Sequence, residues 1–125
     1  MGDPRRGRGR RGEQLARDHL ASRGYDIIQT NFRSRYGEID IIARKGDVVA
    51  FVEVKARRDR FFGEPFEAVS PRKRAQIRRM ARAWLMANAH DPAYGDCCFR
   101  FDVISIMLDE AGGASELDHM EDAFR

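Results

Sequence analysis

Asp40, Glu53 and Lys55 interrupt the stretch GEIDIIARKGDVVAFVEVKARR, residues 37–58, which otherwise reads as two apolar strands meeting at Gly46-Asp47. That dipeptide suits a two-residue hairpin turn, with glycine first as a type II′ turn prefers. Counting outward from the closing pair Lys45–Val48 sets Asp40 directly opposite Glu53, and Lys55, two residues further on, points to the same side. Two like charges facing each other destabilise a hairpin, and burial adds the loss of water from each ion. A divalent cation between the carboxylates removes the conflict, and hard oxygen ligands with room for water and phosphate suit Mg²⁺. Lys55 would then bind a phosphate oxygen or orient an attacking water. Glu13, upstream on a helix, is a candidate third carboxylate, and Glu38 falls opposite Lys55 as a candidate ion-pair partner.

Each residue also has a plain structural reading. E-x-K is common by chance and more often marks an exposed strand edge. Glu53 and Lys55 would serve equally as a same-face ion pair, Asp40 as an edge residue, and Glu13 as an acidic residue favouring a helix N-terminus. The combination weighs against these readings, because VVAFVEV is apolar on both faces and so belongs in the middle of a sheet.

The elements that must position these groups follow from periodicity and punctuation. Residues 1–9 are rich in Gly and Arg and read as a disordered basic arm, with a single domain over residues 10–125. A helix is expected over 10–23, ending at Gly24, with Glu13, Ala16 and Leu20 on one face. The strand YDIIQTNFR and the hairpin follow. After a loop, Ser70-Pro71 forms an N-cap and first helical residue. The helix expected to run on to about residue 88 buries Ile77, Ala81, Trp84 and Leu85. Its other face carries Arg72, Arg74, Arg78, Arg79 and Arg82. The strand CFRFDVISIML comes next, and a Gly-rich, then acidic, tail closes with Met120 and Phe124 as anchors. The order is α-β-β-β-α-β: an α/β domain with a mixed central sheet flanked by helices, in which the third strand, the helix and the last strand make a crossover.

The 125 residues, 42% of them hydrophobic, suffice for one core. Cys97 and Cys98 are adjacent and the three histidines are scattered, a pattern of neither a disulfide framework nor a zinc ribbon. No apolar run reaches membrane-spanning length and the N-terminus lacks the apolar core of a secretory signal, so a cytoplasmic protein is expected. The 23 Lys and Arg exceed the 20 Asp and Glu only slightly, but five arginines fall between residues 5 and 11. Six more basic residues, Arg72, Lys73, Arg74, Arg78, Arg79 and Arg82, fall on the second helix. Such clusters fit a phosphate-binding surface or, equally, a solvated face. Phe61-Phe62-Gly63, in the loop after Lys55, is expected near a substrate path or as a plug at the core edge.

Asp40, twelve residues and then Glu53-Val54-Lys55 resemble the PD-(D/E)XK nucleases, the restriction-endonuclease-like superfamily. With Glu13, GEIDIIA, FVEVK, FRFDVI and the terminal AF, the chain resembles more closely the YraN-like family of small bacterial proteins over about residues 10–125. The first helix with its glutamate is also similar to archaeal Holliday-junction resolvases. Ile39 stands where the superfamily pattern has proline. The resemblance implies metal-dependent phosphodiester hydrolysis, with Mg²⁺ or Mn²⁺ on Asp40, Glu53 and the Val54 carbonyl. It also implies Glu13 as an outer or second-metal ligand and Lys55 activating water. Asp102, in the family's FD strand, is given a site role or a purely structural one. A DNA endonuclease, with selectivity for DNA structure as an option, is the leading expectation. A non-catalytic nucleic-acid-binding module on the same fold and a scaffold for an acidic partner are the alternatives. A resolvase-like role would call for a symmetric homodimer.

Overall fold

A computed structural model describes residues 4–58 and 69–124, with side chains from residue 9 onward. Its elements are α1 (Pro4–Ser22), β1 (Asp26–Ser34), β2 (Gly37–Lys45), β3 (Val48–Arg57), α2 (Pro71–Ala87), a 3₁₀ turn (Pro92–Tyr94), β4 (Cys98–Leu108) and β5 (Ala114–Phe124). The five strands lie side by side in sequence order. Only β3 and β4 are parallel, joined by the crossover through α2, so the sheet is mixed as expected.

The period of two along β3 explains why both helices are needed. Ala50 and Val52 face one way, with Ile41, Ala43, Ile104 and Ile106, and meet Ala16 and Leu20 of α1. Val49 and Phe51 face the other way, with Ile42, and meet Met80, Ala81 and Trp84 of α2. A central strand covered on both faces has to be apolar on both faces. Met80 joins the buried stripe of α2, whereas Leu85 is only half-buried. The Trp84 indole N–H, taken out of water, donates to Gln29 Oε1 at 3.1 Å.

Local signals set the element ends. Gly24 (φ 89°) ends α1: Tyr25 N–H bonds Leu20 C=O at 3.0 Å and Gly24 N–H bonds Ala21 C=O at 3.1 Å, a Schellman cap. Ser70 caps α2 by accepting from Lys73 N–H. Gly46 (φ 60°) opens the two-residue turn as a type II′ turn requires.

Two expectations are corrected. Helix α1 starts at Pro4, so the segment read as arm contributes its first turns from residue 4 onward; proline at the first helical position is the overlooked start signal. The acidic tail forms an additional strand, β5, antiparallel to β4. Register shifts at Phe101/Val103 and Met107/Leu108 break its alternation. Phe124, expected as an anchor, stacks on Phe101 with ring centroids 5.0 Å apart.

Candidate metal centre

The β2–β3 ladder follows the counted register from Lys45–Val48 to Ile41–Val52 and stops there. Asp40 and Glu53 are the next two positions, where the strands part. Instead of a backbone pair, Asp40 Oδ2 accepts the Val54 N–H at 2.7 Å. The N–H and C=O of one strand residue leave on the same side, so the Val54 carbonyl also opens toward Asp40. Glu53 continues the Val49–Phe51 face toward α2 and is only 6% exposed. Two ammoniums meet its Oε1, Lys55 Nζ at 3.3 Å and Lys73 Nζ at 3.7 Å, the latter from the first turn of α2. Among the described residues, no ammonium or guanidinium pairs directly with Asp40. Burial first, and then the neighbouring Glu53 charge, push its carboxyl up to about 7, against the pull of the Val54 N–H and Lys73.

Glu13 reaches the same end of the sheet because α1 lies unusually close to β3. A Cβ on Gly12 would stand 2.5 Å from Ala56 Cβ, so only glycine permits this approach. Glu13, Asn31, Arg33, Glu38 and Asp40 line one polar cleft of about 440 Å³. Asn31 lies opposite Asp40 on β1, between the pairs Thr30–Ile41 and Phe32–Ile39. Its backbone is left-handed (φ 54°), and its Nδ2 donates to Glu13 Oε1 at 3.1 Å. Among the described residues, no three acidic, imidazole or thiol groups converge closely enough to cage an ion. Asp40 and Glu53 are thus the close pair, and Glu13 stands across the cleft.

Sequence reasoning misses two residues here. Asn31 is detectable as a polar residue at the strand position facing Asp40. Lys73 reads only as part of a phosphate-binding surface, because its contact with Glu53 depends on how α2 docks. The Glu38–Lys55 ion pair is a correction: the ladder ends before that position, and Glu38 pairs with Arg33 across β1 and β2 at 3.5 Å.

The basic face of α2 is not uniform. Arg72 and Arg79 border a second cleft with Arg35 and Tyr36. Arg74 turns inward, donating to Val69 C=O at 3.0 Å and lying over the Phe124 ring. Arg82 is exposed and Arg78 half-buried. Phe61-Phe62-Gly63 lies outside the described residues.

Asp102 has a structural environment. Arg100 grips it with two hydrogen bonds of 2.8 Å, His119 Nε2 lies 2.9 Å from Oδ2, and Asp122 N–H donates to Oδ1 at 3.1 Å. Burial pushes its carboxyl up, but these donors together hold it below the usual carboxylate range. The carboxylate can only accept, so His119 Nε2 carries a proton; its Nδ1 lies 3.2 Å from His19 Nε2. Two histidines scattered in sequence are therefore neighbours. No described helix is long and apolar enough to cross a membrane.

Known proteins carry the same sequence pattern over most of its length. A model of the uncharacterised protein family UPF0102 matches residues 12–106. A UPF0102 protein of Caldicellulosiruptor bescii is 40% identical over 116 residues, 93% of this chain and 95% of the relative. One from Alkaliphilus oremlandii is 45% identical over 113 residues, 90% of this chain and 93% of the relative. One from Rhodococcus opacus is 43% identical over 116 residues, 93% and 94% of the two chains. A family match of this extent, on a sheet that sets Asp40, Glu53 and Lys55 together, makes the chain a member of UPF0102, the YraN-like family within the PD-(D/E)XK-like nuclease superfamily.

Proposed function

We propose that this protein is a cytoplasmic, metal-dependent endonuclease that hydrolyses phosphodiester bonds in DNA, with Mg²⁺ or Mn²⁺ as its ion. The observation that carries the reading is the Asp40–Glu53 pair: two adjoining carboxylates, Glu53 buried and Asp40 half-buried, with the Asp40 carboxyl pushed up to about 7 by burial and by the Glu53 charge. The donor set fits a hard divalent ion. Val54 N–H occupies Asp40 Oδ2 and ammoniums occupy Glu53 Oε1, which leaves Asp40 Oδ1, Glu53 Oε2 and the Val54 carbonyl as oxygens to hold it. When bound, such an ion supplies Lewis acidity at a phosphoryl oxygen and acidifies water.

The chain's own groups do the rest. Lys55 orients the attacking water and meets the charge that accumulates on the phosphoryl oxygens as the P–O bond to the leaving strand breaks. Glu13, held by Asn31, faces the cleft as an outer acceptor. Cutting both strands of a branched substrate would call for a homodimer.

A second reading rests on Lys73. With Lys55 it already neutralises Glu53, as a nucleic-acid-binding module that cleaves nothing would require. A cleavage panel of linear, nicked and branched DNA, with Mg²⁺, Mn²⁺ or EDTA, separates the two. Metal-dependent cleavage is expected, with Asp40→Asn losing several factors of ten, each about 1.4 kcal/mol of barrier. Binding with no cleavage of any substrate by the wild type would leave only the second reading.

A further inference from the structure

The turn between β1 and β2 carries Arg35 and Tyr36, which play no part in the carboxylate site. Among the described residues, Tyr36 is one of three large hydrophobic side chains left exposed, at 36%. Its backbone is nonetheless fixed: its N–H donates to Ser34 Oγ at 3.0 Å, and its C=O accepts from Gln76 Nε2 of α2. Gly37 (φ 137°) lets Gln76 approach, since a Cβ there would strike that side chain. The side chain is oriented too. Arg35 Nη2 donates to the Tyr36 hydroxyl at 2.7 Å, with its guanidinium carbon 4.9 Å from the ring centroid, and that of Arg79 lies 5.9 Å away. Together with Arg72 and Ala75 these residues line an open cleft of about 570 Å³ whose lining, among the described residues, has three arginines and no acidic side chain.

We propose that this cleft seats an unpaired DNA nucleotide, with its base on the Tyr36 ring and its phosphates on Arg72 and Arg79. A basic surface alone would serve any polyanion, but a fixed, exposed ring among guanidiniums offers a face for a base. In a duplex the base faces are already stacked, so only an unpaired base can use it. The ring is pre-organised, so little ordering is lost on binding.

Its position gives the substrate's form. Tyr36 immediately precedes β2 and is four residues from Asp40, a span of at most about 13 Å if extended. On α2, Arg72 borders the cleft while the adjacent Lys73 reaches Glu53. One DNA strand can thus lie across both places, and the nuclease then requires an unpaired nucleotide close to the bond it cuts. That last step rests on the proposed nuclease function; the nucleotide cleft itself does not.

The test measures binding of the full chain in EDTA, where a metal-dependent nuclease cannot cut. The probes are a short single-stranded DNA and its blunt duplex, with wild type, Tyr36→Ala, Tyr36→Phe and Arg79→Gln. Loss of one stacked base weakens single-strand binding of Tyr36→Ala by about tenfold or more. Its duplex binding and melting temperature stay near wild type, because the turn is held through its backbone. Tyr36→Phe keeps the ring and should bind as wild type, and Arg79→Gln should weaken both probes. Unchanged single-strand binding by Tyr36→Ala, an equal loss on both probes, or a Tyr36→Phe defect matching the alanine would each overturn the proposal. A wild type that cleaves while Tyr36→Ala binds normally removes the cleft and leaves the nuclease. A wild type that never cleaves, with a selective Tyr36→Ala defect, removes the nuclease and leaves the cleft.

Discussion

Glu53 is met by two ammoniums, whereas Asp40 is held chiefly by one backbone N–H, and this asymmetry makes Asp40 the residue to titrate. Its folded carboxyl is pushed up to about 7 from an ordinary value near 3.8. The folded chain therefore keeps a proton that the unfolded chain has released over that window. The contribution of Asp40 to stability is fully present below about pH 4, is lost as pH rises through about 7, and is flat above. Asp40→Asn keeps the shape, and its amide oxygen can still accept the Val54 N–H. In EDTA near neutral pH the variant should match or exceed wild type, and its urea midpoint should lack this fall with pH. Wild type should gain about 1.4 kcal/mol from Mg²⁺ at ten times its dissociation constant, most fully above pH 7 where the site is ionised, and the variant should lose most of that gain. A variant weakened in EDTA by about 3–5 kcal/mol, with no Mg²⁺ effect on wild type, would instead mark Asp40 as a structural charge. The pair is legible in the sequence because the register counted from the two-residue turn holds as far as Ile41–Val52, next to it, though not out to Glu38 and Lys55. Lys73 is not legible as a site residue, since its contact with Glu53 depends on the docking of a helix; Asn31 is detectable by its position opposite Asp40, but its left-handed backbone is not.

Helix α1 touches β3 through Gly12, and that contact sets where the next residue, Glu13, can stand. Gly12→Ala gains helix propensity, about 1 kcal/mol, but its Cβ would sit 2.5 Å from Ala56 Cβ. Neither atom belongs to a flexible chain end, so helix and strand must separate, which costs about 1–3 kcal/mol. The expected net result is a lower urea midpoint and weaker Mg²⁺-dependent activity, because Glu13 moves with the helix. Ala56→Gly removes the obstructing methyl, and the next atom, Ala56 Cα, is 3.8 Å away. The double variant should therefore be more stable than the sum of the single changes predicts. Strict additivity would show that the contact does not set the helix position. Such tight helix–strand contacts leave little trace in a sequence: Gly12 reads there as one more glycine beside a flexible arm. The same holds for β5, whose acidic residues and broken register hide its alternation, whereas the unbroken apolar run of β3 and the Ser70-Pro71 start of α2 are legible from local chemistry alone.

For the whole molecule, a net charge of +3 says little about DNA, because the basic residues are concentrated rather than spread. Arg72 and Arg79 border one cleft and Arg10 and Arg33 the other, while residues 1–9 add Arg5, Arg6 and Arg8. Binding built on such charges releases counterions, so the logarithm of duplex affinity should fall linearly with that of salt, by about 0.9 per neutralised phosphate. Deleting residues 1–9 should lower affinity and flatten this slope by about one unit for each phosphate that the shortened chain no longer neutralises. It should not unfold the protein, since the helix residues in the α1 core cluster, Leu15, Ala16 and Leu20, all lie beyond the cut. Tyr36→Ala should leave the duplex slope unchanged, because it removes a ring and no charge. Equilibrium titrations across low to moderate salt, on full-length and truncated chains of matched melting temperature, measure both quantities. Salt-independent affinity would end the phosphate-binding account of both basic clusters. An unchanged slope after truncation would confine DNA binding to the surface beyond residue 9, where α2 and the β1–β2 turn meet.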